Sequence, residues 1–378
     1  MPSPSKRIRV RVPGVAAEYA VVVERGVLGR AGTRTRDVMG VRAKRGAAMA
    51  LVTDRTVARL YGKRVEGSLR RAGFQVHVAA IAPGERSKQF ETVRTLTEAW
   101  ARAGLSRNAF VVALGGGVVS DTAGFAAAAY TRGLPWVVFP TTLLSQADAS
   151  IGGKTGVNLA AGKNLLGAFH HPRGVFADPA ALATLPKRAF RSGLAEVAKM
   201  GVIRRPGMLR ELDAITATLN GADREAAAAA MLPLVRECAA SKAWYVSKDD
   251  RDTGLRRELN FGHTVGHALE ASSGYGVYEH GEAVAVGMAA ALRMSVIHAG
   301  LDPADAQETE RLLERLGLPT RLPRAPGERF WNALLRDKKR GRLRLRVVLC
   351  PAIGKAEVFE LPSLTTLRRV VVSLVRRS

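Results

Sequence analysis

The chain has 378 residues, of which 47% are hydrophobic and 24% charged, and its 58 lysines and arginines against 33 aspartates and glutamates give a formal net charge of +25 at pH 7. This length is enough for one large domain or two ordinary ones, and the composition argues against a disordered or fibrous chain. The two cysteines, Cys238 and Cys350, form no CxxC pair, so we expect no disulfide framework and a reducing compartment.

No segment approaches the roughly 18 uninterrupted apolar residues that a spanning helix requires, and the basic N-terminus lacks the apolar stretch of a signal peptide. We therefore expect a soluble, cytoplasmic protein with no membrane partner. The high positive charge raises the possibility of a nucleic-acid partner. However, the basic residues are scattered and aromatic residues make up only 6%, so no stacking platform for single strands is evident. We expect an anionic small-molecule substrate and no nucleic acid.

The first half alternates strand-like and helix-like segments. Short apolar runs occur at residues 47–53, 76–81, 109–114 and 136–139, and helical composition occurs at residues 57–71 and 91–103. Such alternation predicts an α/β domain with a doubly wound, Rossmann-like parallel sheet. From about residue 186 the segments become rich in Ala, Leu, Glu and Arg with three-to-four spacing, for example at 224–245 and 304–316. The sequence thus predicts an α/β domain over residues 1–185 and a mostly α-helical domain over residues 186–378.

A run of three glycines, Gly115 to Gly117, follows the apolar run at 109–114 and precedes a segment of helical composition at 118–130. Glycines at such a point allow the backbone to approach a pyrophosphate, and the helix N-terminus supplies N–H donors. A plain tight turn is the alternative. Asp121 falls in the first helical turn, where it could cap the helix or contact a cofactor.

Three of the seven histidines lie between residues 263 and 280. His263 and His267 are four residues apart, which on a helix places both imidazoles on one face. With His280 and the carboxylate of Glu196 they have the composition of a catalytic zinc shell. The residue after His263 is Thr264 rather than Glu, so the pattern is not an HExxH protease motif; ordinary helix histidines are the alternative.

Several basic residues occur among apolar or small neighbours rather than in charge runs: Lys154, Lys163, Lys199, Lys242 and Arg256. If they are buried, they require an anionic partner, whereas surface lysines with apolar stems are the common alternative for any one of them. Together with the predicted metal site, they indicate a pocket for a multiply charged anion.

Taken together, these motifs resemble the 3-dehydroquinate synthase family, within the sugar phosphate cyclases. The matching strings run in that family's order from about residue 85 to 287, with an extension to about residue 358: GGGVVSDTAGF, YTRGLPWVVFPTTLLSQADASIGGKTGVN, GKNLLGAFHHP, SGLAEVAKMGVI, GLRRELNFGHTVGHALE, HGEAVAVGM and RDKKRGRLRLRVVLCPAIGKAEV. The first forty residues match only loosely.

The resemblance implies an N-terminal NAD-binding domain, a helical metal-binding domain and a homodimer. It implies that a divalent metal, usually zinc with cobalt as an alternative, is held by Glu196, His263 and His280. The residues implied to contact NAD are Asp54, Glu85, Lys88, Gly115, Gly116, Gly117, Asp121, Thr141, Thr142, Lys154, Lys163, Ala181, Leu182 and Thr184. The residues implied to line the substrate pocket are Arg132, Asp148, Lys154, Asn164, Lys199, Lys242, Arg256, Asn260, His267 and Lys338 or Lys339. In this pattern His267 contacts substrate rather than metal, unlike the pairing that spacing alone favours.

The implied substrate is 3-deoxy-D-arabino-heptulosonate 7-phosphate. The implied reaction, a step of the shikimate pathway to aromatic amino acids, comprises oxidation by NAD, elimination of phosphate, reduction, ring opening and aldol closure. The metal would act as a Lewis acid on the reacting oxygen, cationic residues would hold carboxylate and phosphate, and His267 would relay protons.

The chain departs from the family pattern at a few positions, namely Ser120, Ala149, His170 and His171. The nearest competing function is that of a related cyclase, such as an aminodehydroquinate synthase. Arg256 and Asn260 argue against cyclases of neutral sugars, since both match positions that recognise a carboxylate. A metal-dependent polyol dehydrogenase would release NADH, and a basic nucleic-acid-binding protein would explain the charge but not the Glu/His/His set.

Overall fold

In the computed structural model, which describes residues 7–12, 18–274, 276–335, 345–361 and 363–376, the chain divides into two units. The first contains the described residues up to Leu185 together with Met231–Arg251, and the second contains Pro186–Ala230 and the described residues from Asp252 onward. The sequence predicts a single boundary, between residues 185 and 186. The structure also assigns Met231–Arg251 to the first unit.

The first unit is built on a seven-stranded sheet with the order β1-β2-β9-β6-β5-β3-β4. β1 pairs with β2 in the antiparallel sense, and every other neighbouring pair is parallel. The strands are β1 Arg7–Arg11, β2 Glu18–Val23, β3 Ala48–Asp54, β4 Gln75–Ile81, β5 Phe110–Gly115, β6 Trp136–Pro140 and β9 Gly174–Ala177. The four strands predicted from apolar runs are confirmed as β3 to β6.

The central strands of the sheet are fully covered. Every residue of β5, β6 and β9 is buried, as expected for central parallel strands covered on both faces. The helices of this unit are α1 Ala31–Met39, α2 Arg55–Val57, α3 Lys63–Arg71, α4 Phe90–Arg102 and α5 Gly117–Ala129. A π-helical turn, Ala58–Gly62, joins α2 to α3.

An antiparallel hairpin also belongs to the first unit. Its strands are β7, Lys154–Leu159, and β8, Gly162–Phe169, with Lys154 opposite Phe169. The sequence does not predict this hairpin, because its strands are polar and rich in glycine and show no clean alternation. Antiparallel pairing with a partner only a few residues away stabilises it instead.

The second unit is mostly helical, as predicted. Its helices are α6 Lys187–Ile203, α7 Gly207–Asn220, α9 His263–Ser273, α10 His280–His298, α11 Pro303–Arg315, α12 Glu328–Leu334 and α13 Thr365–Ser373. α8, Arg224–Lys248, begins in this unit and ends in the first. A second antiparallel hairpin, β10 Leu345–Ala352 with β11 Lys355–Leu361, packs with α9, α10 and α13 in one apolar core. Within the described residues, no helix combines the length and apolar character needed to span a bilayer.

Candidate active site

The strand order of the first unit reverses between β3 and β5. The chain passes from β3 to β4 on one side, then returns to place β5 on the other side of β3. In open parallel sheets, ligands bind at the carboxyl ends of the strands at such a reversal. Asp54, Gly115 and Pro140 are the last residues of β3, β5 and β6, so three segments implied to contact NAD begin at this edge.

Gly115 and Gly116 allow the turn at the end of β5 to close tightly against its neighbours. Thr141 N–H donates to Gly115 O (3.0 Å), and a Cβ on Gly116 would lie 2.8 Å from Thr142 Cγ2. Gly116 is the N-cap of α5 and has no capping side chain. The first turn of α5 therefore leaves backbone N–H groups available for an anion such as a pyrophosphate.

Lys88 and Asp121 form an ion pair beside this turn. Their Nζ and Oδ2 atoms are 2.5 Å apart, and Lys88 is buried. Burial lowers the pKa of Lys88, but the carboxylate of Asp121 outweighs it and raises the pKa above its usual range. Lys88 is therefore a fixed cation at the start of α5.

The loop that carries Lys88 is tied to the β7–β8 hairpin. Asn158 N–H donates to Lys88 O (2.8 Å) and its Nδ2 donates to Glu85 Oε1 (2.7 Å). Asn164 adopts a left-handed conformation (φ 55°), and its N–H donates to Asn158 Oδ1 (2.9 Å). Lys163 precedes it on β8. The structure thus brings together several residues implied to bind cofactor or substrate.

Two further implied cofactor segments have defined local roles. Asp54 Oδ1 accepts the N–H groups of Thr56 (2.8 Å) and Val57 (2.9 Å), so it caps α2. Thr184 Oγ1 contacts Tyr61 Oη at 2.6 Å, and Tyr61 donates to Ala181 O (3.2 Å). Leu182, which lies between Ala181 and Thr184 in the chain, is fully buried, as expected for a residue of the apolar core.

Asp148 and Lys242 form a further ion pair in the first unit, in which the lysine is buried and the aspartate half-buried. Asp148 lies in a π turn, Ser145–Ala149, and its Oδ1 is 2.6 Å from Lys242 Nζ on α8. Lys154, exposed at the start of β7, lies at the base of the hairpin. Arg132 is not brought to these residues by the topology: it is exposed in the connection between α5 and β6, at the amino ends of the strands.

In the second unit, Glu196, His263 and His280 present one potential ligand atom each within 4.8 Å of one another. Glu196 Oε1 is 3.7 Å from His263 Nε2 and 3.6 Å from His280 Nε2. Glu196 is 1% exposed, and within the part of the chain that the structure describes, its Oε1 accepts no hydrogen bond. A buried carboxylate oxygen facing two imidazole nitrogens fits a divalent cation such as zinc.

Hydrogen bonds fix the orientation of both imidazoles. His263 Nδ1–H donates to Phe261 O (3.0 Å), and His280 Nδ1 faces Glu270 Oε2 at 3.4 Å. Each Nε2 lone pair is then directed at Glu196 when the ring is neutral. Glu270, which is buried, was not predicted from the sequence. Its position seven residues after His263, on the same face of α9, is the signal that could have found it.

The charges of the site favour a cation between these groups. Burial opposes ionisation of Glu196, but Lys199, which contacts its Oε2, and the two imidazoles hold the pKa of Glu196 well below its usual range. Burial also lowers the pKa of His280, yet Glu196 and Glu270 outweigh it and raise the pKa to about 9. Burial and the Lys199 ammonium lower the pKa of His263 well below its usual range.

Glycines bring the three helices of the site close together. A Cβ on Gly281 would lie 1.8 Å from Ser192 O on α6, and a Cβ on Gly287 would lie 1.8 Å from Gly262 O beside α9. Gly281 N–H also donates to Ser192 Oγ (2.9 Å). The glycines of the motifs NFGHTVGH and HGEAVAVGM therefore serve the contact that places His263 beside His280.

The remaining predicted residues of the second unit lie near this cluster or outside the described residues. The exposed ring of His267 is 5.1 Å from that of His263, and its ligand atoms group with Glu270 and His280 in a second set of three. Arg256 is buried in the short helix that ends at Asn260, just before Phe261. Lys338 and Lys339 lie outside the described residues.

Solved structures first define the class. The fold matches 2-epi-5-epi-valiolone synthase ValA from Streptomyces hygroscopicus, solved with NAD+ and Zn2+ bound, with a TM-score of 0.83 and 29% identity over 96% of this chain and 99% of that one. It also matches a 2-deoxy-scyllo-inosose synthase complexed with carbaglucose-6-phosphate, NAD+ and Co2+, with a TM-score of 0.85 and 24% identity over 98% and 100% of the two chains. The fold is that of the sugar phosphate cyclases. A glycerol dehydrogenase from Schizosaccharomyces pombe shares the fold alone, at 15% identity, a TM-score of 0.66 and 94% and 88% coverage.

Sequence comparison then specifies the family. Residues 78–192 match the family described as 3-dehydroquinate synthase N-terminal, and residues 193–340 match 3-dehydroquinate synthase C-terminal. The 3-dehydroquinate synthase of Citrifermentans bemidjiense is 44% identical over 88% of this chain and 89% of its own length, and that of Synechococcus sp. strain CC9605 is 43% identical over 92% and 93%. The chain belongs to the 3-dehydroquinate synthase family, and the predicted resemblance is confirmed.

Proposed function

We propose that this enzyme converts 3-deoxy-D-arabino-heptulosonate 7-phosphate into 3-dehydroquinate and phosphate, using NAD and a divalent metal, as a step of aromatic amino acid biosynthesis. The observation that carries the proposal is the buried Glu196 carboxylate with two oriented imidazoles at 3.6 and 3.7 Å and a buried lysine beside it. Membership of the 3-dehydroquinate synthase family supports this choice of substrate, and the NAD+ bound in the structure of ValA supports this choice of cofactor.

The chemistry divides between bound groups and side chains. When bound, NAD would accept a hydride from the substrate and later return it, and the metal would polarise the reacting oxygen. In the proposal, Glu196, His263 and His280 hold the metal. The glycine turn and the N-terminus of α5 hold the pyrophosphate of NAD, since the close approach of Gly116 to Thr142 leaves no room for a side chain there.

The cationic side chains have the role of fixing the substrate. Lys199 and Arg256 are buried, and buried cations require anionic partners. Lys199 already contacts Glu196 Oε2, and in the proposal the substrate is a further anion beside these two side chains. Arg256 presents a planar fork suited to a carboxylate, and Asn260 follows it in the same short helix. Lys154 and Lys242 would neutralise phosphate as point charges. His267 is exposed and in the proposal passes protons between substrate and solvent.

The test follows phosphate release and 3-dehydroquinate formation together, with purified protein, NAD, zinc and the heptulosonate phosphate. Equimolar products without accumulating NADH are expected. Glu196→Ala and His263→Ala should lose bound metal by elemental analysis and lose turnover, whereas His298→Ala, at an exposed histidine, should retain both. Accumulating NADH would establish a polyol dehydrogenase instead. Lack of product with metal and NAD bound would overturn the substrate, and the amino analogue would be tested next.

A homodimer is part of the proposal. Arg132 is implied to contact substrate, yet it is exposed at the edge of the sheet opposite the glycine turn. We infer that it serves a second copy of the chain. Light scattering should give twice the mass of the 40.4 kDa chain. A mixture of Arg132→Ala and Glu196→Ala proteins, unfolded together and refolded, should recover activity that neither has alone; a monomeric mass or no recovery would contradict the arrangement.

A cytoplasmic location is proposed because Cys238 and Cys350, both among the described residues, are buried and form no disulfide, which suits a reducing compartment. Fractionation of the producing cells checks it, and recovery in a membrane or secreted fraction would contradict it.

A further inference from the structure

The base of the β7–β8 hairpin contains a buried polar pair that the proposed reaction does not use. Gly152 and Gly153 lead into Lys154 at the start of β7, and His170 and His171 follow the end of β8. His171 Nε2 lies 2.8 Å from Asp250 Oδ1. Their side chains are 10% and 6% exposed, and burial on this scale requires that a charged group be paired.

The His171 imidazole also packs directly against the turn that precedes Lys154. A Cβ on Gly153 would lie 2.7 Å from His171 Nε2 and 2.8 Å from its Cδ2. His170 N–H donates to Gly153 O (2.7 Å). The edge of the imidazole therefore occupies the space that any side chain at position 153 would need.

Tyr19, on β2, also contacts the turn at Gly152 and Gly153. Gly152 N–H donates to Tyr19 Oη (2.9 Å), and the Tyr19 ring lies 5.8 Å from the His171 ring. Gly152 has φ 120°, a backbone conformation that residues with side chains rarely adopt. The two residues before Lys154 thus have a backbone fixed by contacts with Tyr19, His170 and His171.

Asp250 connects this turn to α8. It follows the end of α8 by two residues, and the same helix carries Lys242, whose Nζ pairs with Asp148. The neighbouring Arg251 places its Cζ 4.6 Å from the centre of the Phe169 ring, opposite Lys154 in the hairpin. The end of α8 therefore contacts the hairpin base at His171 and at Phe169, while α8 itself presents Lys242.

We propose that His171 and Asp250 are positioning residues, which hold the turn at Gly152 and Gly153 against the end of α8 and so set the spacing of Lys154 and Lys242 around an anionic group of the substrate. The inference rests on the proposed function, because Lys154 and Lys242 are assigned to the substrate there. Neither His171 nor Asp250 contacts the substrate in this proposal. Their effect passes through the backbone of residues 152–154.

The first experiment measures steady-state kinetics with the heptulosonate phosphate, NAD affinity and thermal unfolding for three variants. His171→Leu should lower kcat/KM by about tenfold to a hundredfold, the loss expected from a small misplacement of a binding group, with most of the change in KM. Asp250→Asn should behave similarly but less severely. His171→Gln, which keeps a polar side chain beside Asp250, should recover most of the loss. His171→Leu leaves the buried Asp250 without the imidazole, so its unfolding midpoint should fall, whereas that of His171→Gln should stay near the value of the parent protein. NAD affinity should change less than KM, since Lys154 is only one of the residues implied to contact NAD. His298→Leu, the same substitution at an exposed histidine, should leave all of these values unchanged.

A double-mutant cycle distinguishes positioning from general stabilisation. In a Lys154→Ala background, His171→Leu should have little further effect on KM, since the group that it positions is gone. A full additional loss in that background, or an unchanged KM in all three single variants of an active enzyme, would overturn the proposal. Absence of phosphate release from the parent protein would instead contradict the proposed function, so the two failures are distinguishable.

Discussion

The hydrogen bonds of the two imidazole rings determine which nitrogen atoms at the Glu196 site are available to a cation. The Nδ1 atoms of His263 and His280 face a backbone carbonyl and the Glu270 carboxylate, respectively, so both Nε2 atoms remain for the ligand. Such partners orient the imidazole and increase its basicity toward a metal. We therefore expect Glu270 to increase the affinity for the metal, although it is not one of the three residues Glu196, His263 and His280 that would bind it.

Glu270→Gln should weaken metal binding by about 10- to 100-fold, the usual effect of losing such a partner. The amide retains the shape of the carboxylate but not its charge. Competition with a chromogenic chelator measures the affinity without reference to turnover. Glu98→Gln, at a glutamate on α4 whose side chain is 49% exposed and which pairs with Arg94, serves as the control. Equal affinities in the two variants would show that Glu270 does not orient His280.

The burial of His170 should make the free energy of unfolding depend on pH. Burial lowers the pKa of His170 below its usual range, although its Nε2–H donates to Leu134 O (2.7 Å) and its ring stacks on Trp136. The unfolded chain then binds more protons than the folded one. The contribution of His170 is present above the unfolded pKa of about 6.5 and is lost as the pH falls through the lower folded pKa.

Urea unfolding at pH 8, 7, 6 and 5 measures this dependence. The parent protein should lose unfolding free energy more steeply between pH 7 and 5 than His170→Phe, which keeps the stacked ring but cannot take up a proton. Parallel curves for the two proteins would contradict the assignment.

At the scale of side chains, sequence spacing predicted one local arrangement within the candidate site. The spacing of four between His263 and His267 correctly indicates one helix face, because both lie on α9 and their rings are 5.1 Å apart. Spacing could not indicate that His280, at the first turn of α10, faces Glu196. That contact depends on how α6, α9 and α10 pack, which local periodicity does not encode.

Glycines determine how closely α6, α9 and α10 pack together. α10 approaches α6 at Gly281 and approaches α9 at Gly287, where a Cβ would lie 1.8 Å from a backbone oxygen in each case. Backbone atoms cannot rotate away as a flexible side chain can, so a methyl group here must separate the helices. Arg188 on α6 adds a bidentate contact, with 2.7 Å distances to both oxygens of Glu282 on α10.

Gly281→Ala should lower the free energy of unfolding by about 1–3 kcal/mol or more, as overpacking does, and weaken metal binding because His280 moves away from Glu196. Gly207→Ala is the matched control: the nearest atom to its added Cβ is the flexible Arg210 Nη2, at 4.0 Å, and Gly207 is the first residue of α7, after the N-cap. Chemical denaturation and chelator competition measure the two effects. A stable Gly281→Ala protein with unchanged metal affinity would contradict the role given to this contact.

The four strands that the sequence predicts all contain mainly apolar runs. β3, β5 and β6 are almost entirely buried, whereas β4 is partly exposed, and the predicted limits of all four differ from the observed ones by a residue or so. β1, β2, β9 and both hairpins were not predicted. The burial of β8 alternates weakly along its length, and β11 alternates while carrying Glu357 and Glu360; such strands depend on their antiparallel partners rather than on their own composition.

For the whole molecule, the net charge of +25 acts over longer distances than any single contact. A field of one sign concentrates an anionic substrate near the protein and accelerates its association. The effect is screened as the Debye length falls from about 30 Å at 0.01 M to about 8 Å at 0.15 M salt.

Raising the ionic strength over that range should therefore lower kcat/KM for the heptulosonate phosphate while leaving kcat nearly constant. Stopped assays in two different salts at matched ionic strength separate screening from specific ion effects. A kcat/KM independent of salt would mean that the charge serves another purpose, and retention of the protein on immobilised DNA at 0.15 M salt would point to a nucleic acid.

The position of α8 in the chain also determines when the first unit can finish folding during synthesis. α8 begins in the second unit, and from Met231 onward it belongs to the first. On the ribosome, the partner of Asp148 is translated 94 residues after it. The first unit cannot close until Arg251 has emerged, by which time Pro186–Ala230 is already outside the tunnel. A gene cut after Leu185 would encode all seven strands of the sheet but neither Lys242 nor Asp250, so the two units cannot be exchanged between relatives as consecutive blocks.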